Sequence, residues 1–342
     1  MTSTPTSAPQ RRPEILSRIR IGSFRELGLL LFIAALIIIV QMSNSAFLTP
    51  KNVSNLLTNT AIIAVLSVGM FVVILTGGID LSIGANIAFT GMVVALHVAA
   101  APTLHPLIAM LEGLAIGIIL GAIVGALVAK VHVLPIIASL GMCYVFRGAV
   151  FLISGGKWVS AHQMPEGFKA IATGSTLWIN NLVLIAVVVM LIAQYVLSST
   201  RVGRRFYAVG SNADAARISG ISGDRAVWLA YVVMGGLAGL AGVLWVAKFA
   251  SAQPDTAIGY EVNIIAACVI GGVSINGGSG KVVGVLLGTM LIGIINNALP
   301  LISSVSEFSK SFIQGMIILG AVLLNTAVKR RGDWRALAAR HI

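Results

Sequence analysis

Val209-Gly210-Ser211-Asn212-Ala213-Asp214-Ala215-Ala216-Arg217-Ile218-Ser219-Gly220-Ile221 lies between two long apolar runs, inside the most basic internal segment of the chain. It reads as a short helix of its own. Ser211 can cap it and Asp214 then takes the third helical position. Three alanines favour the helix, and Gly220 can end it in a left-handed turn. A chain that only had to cross a bilayer would not need such an element here. One that must grip a cytoplasmic partner would.

The flanking sequence sets the solvent. Of 342 residues, 57% are hydrophobic and 10% charged, with a mean hydropathy of +0.97; soluble domains carry about 25% charged residues. Ten apolar spans follow one another, at 26–42, 53–75, 85–100, 107–129, 134–154, 180–198, 226–246, 261–276, 282–300 and 309–328, each close to a bilayer in length. The expected fold is all-α, a polytopic integral membrane protein of about ten transmembrane helices. The run 26–42 follows a basic tail, as a cleaved signal would, but its length and the many later spans favour an uncleaved first helix.

The net charge of +12 does not point to nucleic acid, because the basic residues cluster in loops beside the spans. With the N-terminus inside, 17 Lys and Arg fall on the cytoplasmic side and five outside: Lys51, Lys157, Lys169, Lys248 and Lys310. This is the positive-inside asymmetry, and it places both termini in the cytoplasm. The organisation is then a basic tail over 1–25, a transmembrane domain over 26–328 with a loop at 199–225, and a basic tail over 329–342.

No catalytic residues and no metal ligands are expected. Gly278-Ser279-Gly280-Lys281-Val282 lacks the first glycine and the Ser/Thr of a phosphate loop, and reads as a tight turn with a snorkelling lysine. The five histidines show no ligand spacing, and Cys143 and Cys268 lie in apolar spans as small hydrophobes. Gly113, Gly117, Gly121 and Gly125 repeat on one face of the fourth span, and Gly235 and Gly239 repeat on the seventh; close helix packing is the plain reading. Gly77-Gly78 to Gly84 and Gly271-Gly272 to Gly280 are similar breaks between spans, consistent with an internal duplication.

Polar residues inside spans are costly and are candidates for a translocation path. These are Asn55, Asn59, Asn263, Asn296 and Asn297, with Asp80, Ser82 and Asn86 at the first break. Amides and hydroxyls suit a neutral polyhydroxylated solute; helix-to-helix hydrogen bonding is the competing reading. Asp80 can equally cap the third span. Arg147 needs a carboxylate or backbone carbonyls, and Glu112 lies at a matching depth. The absence of regular charge arrays or a proton relay disfavours an ion-driven carrier.

Three segments carry a family resemblance: Ile74-Leu75-Thr76-Gly77-Gly78-Ile79-Asp80-Leu81-Ser82-Ile83-Gly84; 203–212 through Gly220-Ile221; and Ser251-Ala252-Gln253-Pro254 with Gly259-Tyr260-Glu261 and Gly271-Gly272. Over about 26–330 the chain resembles the membrane-spanning permeases of ribose-type monosaccharide ABC importers, in the wider group that includes branched-chain amino-acid permeases. The resemblance implies a multi-pass protein of the bacterial inner membrane. It implies a second permease subunit, identical or related, a cytoplasmic ATP-binding subunit that holds ATP and Mg, and an extracytoplasmic solute-binding protein. This chain would itself hold no cofactor. Coupling to the ATPase would fall on Gly210, Ser211, Asn212, Asp214, Ala215, Ala216, Arg217 and Gly220. Docking of the binding protein would fall on Gln253, Pro254, Asp255 and Tyr260, within 248–260. Arg147-Gly148 and 154–158 resemble rhamnose or autoinducer-2 permeases, whereas 251–254 and 259–261 resemble ribose permeases. The rival readings are an ATP-independent channel for a small polyol, a branched-chain amino-acid permease and a membrane-embedded enzyme.

Overall fold

The computed structural model describes residues 22–301 and, beyond them, single helical positions at 312, 315–316 and 319–320. The tails 1–21 and 329–342, and most of the expected tenth span 309–328, lie outside the described residues.

Eight helices among the described residues are long and apolar enough to cross a membrane. They are α1 (Gly22–Ser43), α2 (Pro50–Leu75), α3 (Ile83–Ala100), α4 (Pro106–Ala129), α5 (Pro135–Ser154), α7 (Asn181–Ser199), α10 (Gly223–Phe249) and α12 (Val282–Ala298). Between α5 and α7 run the short α6 (Glu166–Thr173) and a two-residue-strand hairpin. The basic loop carries two helices, α8 (Arg201–Ser211) and α9 (Ala213–Ile218). Proline opens α2, α4 and α5, where its missing N–H costs nothing, and Gly155 closes α5 with φ +58°.

The eighth span departs from expectation. The apolar stretch 261–276 is not one helix: α11 covers only Tyr260–Ile270, about half a bilayer at 1.5 Å per residue. The segment before it explains the shortfall. After α10 the chain turns back into the protein, and the Ala257 carbonyl would lie 2.5 Å from a Cβ added at Gly84, in the first turn of α3. Residues 250–259 are therefore re-entrant, and α11 starts inside the bundle. Irregular backbone at membrane depth is tolerated where protein covers it.

The core sits on α10, whose buried face includes Tyr231, Met234, Leu244 and the small residues between them. Its seam with α4 is built from glycine. A Cβ at Gly117 would come within 2.2 Å of the Gly235 carbonyl, one at Gly121 within 2.3 Å of the Tyr231 carbonyl, and one at Gly239 within 2.1 Å of the Gly113 carbonyl. The glycines of both repeats thus face each other with backbones in contact, as the packing reading required. Trp228 Nε1 donates to the Ala122 carbonyl at 3.2 Å across the same seam.

The two glycine-rich breaks meet in space. Gly278 N–H donates to the Leu75 carbonyl at 3.0 Å, closing the end of α2 with the loop before α12. Gly277 and Gly278 hold φ of +85° and +69°, a region that favours glycine.

Candidate functional site

The two helices of the basic segment come first. Thr200 caps α8 by accepting from Gly203 N–H at 3.2 Å. One face of α8 is buried through Gly203, Phe206 and Val209, while Arg201, Arg204 and Arg205 face out. Burial pushes the Tyr207 hydroxyl above its ordinary value, and it donates to the Gly280 carbonyl at 3.0 Å. The helix ends against the two breaks: a Cβ on Gly210 would sit 1.7 Å from the Leu75 carbonyl and 2.6 Å from Gly278 N.

This packing corrects the cap. Ser211 is the last residue of α8, not the cap of the following helix. Asn212 caps α9, its Oδ1 accepting from Ala215 N–H at 2.9 Å. Asp214 is consequently the second residue of α9, where it reaches Arg217 at 3.5 Å. Gly220 does end the turn left-handed, with φ +77°. Among the residues expected to couple, Ala216 is buried, whereas Asp214, Ala215 and Arg217 are exposed. Ile218, not singled out by the sequence, is 86% exposed on the same short helix. Only its side-chain direction, which the sequence does not reveal, distinguishes it from a core residue.

The polar residues of the spans separate into different roles. Asn297 exchanges hydrogen bonds with Asn52 at 2.8 and 3.1 Å, tying α12 to α2; this is the helix-to-helix bonding that competed with path lining. We expect Asn297→Leu to lower stability by about 1 kcal/mol with transport per folded molecule unchanged, measured as thermal midpoint against uptake. Asn86 accepts from Thr90 Oγ1 at 3.1 Å and is buried. Asp80 is buried, and its Oδ1 accepts from both Ser82 N–H and Ser82 Oγ, at 2.8 and 2.6 Å. It therefore braces the residue preceding α3 rather than the first-turn amides. The Ile79 carbonyl beside it accepts from Tyr231 Oη at 3.1 Å.

Asn55 and Asn59 remain exposed on α2, and Lys248 Nζ donates to Asn59 Oδ1 and to Thr58 Oγ1. Lys248 is thus part of the last turn of α10, not of an outer loop. Asn263, in the first turn of α11, and Asn296 on α12 are half-buried.

Of the two kinds of partner expected for Arg147, the structure supplies backbone carbonyls and not Glu112. Glu112 pairs with His97 at 2.7 Å, and Arg147 instead donates from Nη1 to the carbonyls of Pro254 and Thr256, both at 2.8 Å. Its partners are backbone groups of the re-entrant segment, which no sequence spacing reveals. Val159 and Ala252 exchange a second pair of backbone bonds with the same segment. We expect Arg147→Met to remove two charge-assisted bonds, worth roughly 1.5–3 kcal/mol each. Hydrogen exchange over 250–259 should then accelerate while the α4–α10 seam stays protected.

Of the expected outer contact residues, Asp255 is exposed, Gln253 and Tyr260 are half-buried, and Pro254 is buried. Pro254 therefore serves the fold through its carbonyl, and its side chain offers no docking surface. Cys268 is buried and its thiol meets the Ser67 carbonyl at 3.4 Å, while Cys143 is half-buried and free, so both stay structural. Lys281 is not simply snorkelling, since its Nζ pairs with Glu26 at 2.7 Å.

The short helix α9 thus stands over a bundle with two glycine-rich breaks, and the comparisons say which proteins this chain is similar to. Residues 52–322 match the family described as "Branched-chain amino acid transport system / permease component". The chain belongs to that family. It is 40% identical over 304 residues to the ribose import permease protein of Bacillus subtilis (strain 168), covering 89% of this chain and 94% of that protein. It is 34% identical over 302 residues to the D-allose transport system permease protein of Escherichia coli (strain K12), covering 87% and 91%. It is 33% identical over 306 residues to the autoinducer 2 import system permease protein of Enterobacter sp. (strain 638), covering 90% and 88%. No solved structure matches. The chain is a multi-pass permease of the bacterial inner membrane.

Proposed function

We propose that this permease is the membrane-spanning subunit of an ATP-driven, binding-protein-dependent importer of a monosaccharide. The observation that carries the reading is the union of Ile218, exposed on α9, with Gly210, wedged between the ends of the two breaks. The importers named among its relatives carry ribose, allose and autoinducer 2, and amide and hydroxyl groups on α2 and α11 suit such a solute.

In this reading a cytoplasmic ATPase, holding ATP and Mg, receives α9 in a cleft. Its closure pushes α9, and Asn212 passes the push to α8. Gly210 then bears on the Leu75 carbonyl and on Gly278, so one displacement moves the inner end of α2 and the loop before α12 together. A second permease subunit completes the central path, and the two arrangements of the breaks become its outward- and inward-open states. The loaded binding protein docks on the outer face.

The test is reconstitution of the permease with an ATP-binding subunit and a solute-binding protein that co-purify with it. Sugar accumulation inside vesicles should require ATP and both partners. Accumulation without ATP would overturn the reading.

A further inference from the structure

A cavity on the outer half of the bundle has no role in the coupling scheme. It has a volume of about 620 Å³, within the roughly 300–1,000 Å³ of small-molecule sites. One wall is aromatic. Trp245 lies 4.8 Å from Phe249 at a tilt of 46°, and 4.8 Å from Tyr260 in an edge-on arrangement at 82°. The facing wall is the re-entrant segment, which brings Ser251, Gln253 and Asp255.

That wall is built rather than slack. Arg147 holds the Pro254 and Thr256 carbonyls. Gln253 N–H donates to Thr256 Oγ1 at 3.3 Å, and Gln253 Nε2 to Ser251 Oγ at 3.1 Å. Ala250 and Ala257 hold φ of +48° and +59°, a conformation alanine adopts only under constraint and one that clusters at binding sites. The Asp255 carboxylate is exposed at the cavity with no hydrogen bond to another described residue.

We propose that this cavity holds the sugar inside the permease, after release from the binding protein and before it crosses. Resting on the importer reading above, the inference names the place and the chemistry. A monosaccharide ring has an apolar C–H face and a rim of hydroxyls. The electron-rich faces of Trp245, Phe249 and Tyr260 take the first. Asp255, which only accepts, and Gln253 take hydroxyl protons from the second. The Lys248–Asn59 pair, against Phe249 at 5.4 Å from Lys248 Nζ to its ring centre, continues the polar lining toward α2. A branched-chain amino acid has no ring to lay its C–H face on the aromatic wall, and its carboxylate would meet the Asp255 carboxylate.

The experiment has two arms. In the first, saturation-transfer NMR is recorded on the permease in nanodiscs without its partners, using D-ribose, D-allose and L-leucine. Enhancement of sugar C–H protons is expected for at least one sugar and not for leucine, and its loss is expected in Trp245→Ala but not in Trp245→Tyr. No sugar signal, or a signal unchanged in Trp245→Ala, overturns the site.

In the second, the complete importer in vesicles is compared with Asp255→Asn. Uptake should fall about tenfold while binding-protein-stimulated ATP hydrolysis persists. If hydrolysis falls in parallel with weaker binding-protein affinity, the segment is a docking surface and the sugar site is wrong. If the wild-type importer shows no ATP-dependent uptake yet the NMR signal depends on Trp245, the transport reading fails and the site stands.

Discussion

Replacing Ile218 with Asp is expected to reduce ATP-driven uptake by at least a hundredfold while leaving the permease folded in the membrane. Ile218 is 86% exposed, so a carboxylate there costs the isolated subunit little; surface changes usually stay within about 0.5 kcal/mol. At a closed ATPase contact the same carboxylate would be desolvated without a partner, and central anchors of that kind are worth about 2–4 kcal/mol or more. Ala215→Asp should behave alike, since Ala215 is also exposed. Ala216→Asp is a different experiment, because Ala216 is buried and the change would unseat α9 itself. Uptake, ATPase co-purification and thermal midpoint measured together separate the cases. Normal uptake in Ile218→Asp would discard α9 as the coupling element.

Gly235→Leu is expected to abolish accumulation of folded protein. Even the first atom of a side chain at Gly235 would lie 2.3 Å from the Gly117 carbonyl and 2.5 Å from the Gly121 Cα. These are backbone atoms, so no rotamer change relieves the clash, and α4 must move away from α10. Overpacking against movable side chains costs about 1–3 kcal/mol; rigid backbone on both sides places this substitution above that range. Gly141→Leu is the control, because nothing lies within 4 Å of its Cβ position. Size-exclusion profiles and thermal midpoints of the pair in detergent provide the measurement, and a monodisperse Gly235→Leu protein of normal midpoint would refute the glycine seam.

How far the sequence could be read depends on what each residue answers to. Long apolar runs respond to the bilayer alone, so the eight long helices were legible. The glycine repeats also declared their purpose, because four-residue spacing on a helix has little use but close approach. The eighth span was misread because hydropathy continues through Ile270-Gly271-Gly272-Val273, while Gly272 turns with φ +100° and the start of α11 is set by the re-entrant loop. The paired glycines were the available signal for the inner end; for the outer end there was none. Ser211 and Asn212 are both good caps, and the choice falls to Asn212 because contact of Gly210 with the Leu75 carbonyl keeps α8 helical to Ser211. Arg147 and Ile218 were opaque for related reasons: one is satisfied by backbone carbonyls and the other is defined by exposure, and neither leaves a pattern in the chain.

We expect this permease to work only as part of an ATP-driven assembly. The most direct measurement is gentle purification from its native membrane, identification of its companions by mass spectrometry, and solute flux from the same preparation in liposomes. An ATP-binding subunit and a solute-binding protein at fixed ratio to the permease, with flux only when ATP is present, is the expected result. A permease that emerges alone and passes sugar in liposomes without ATP would contradict the account and leave a channel in its place.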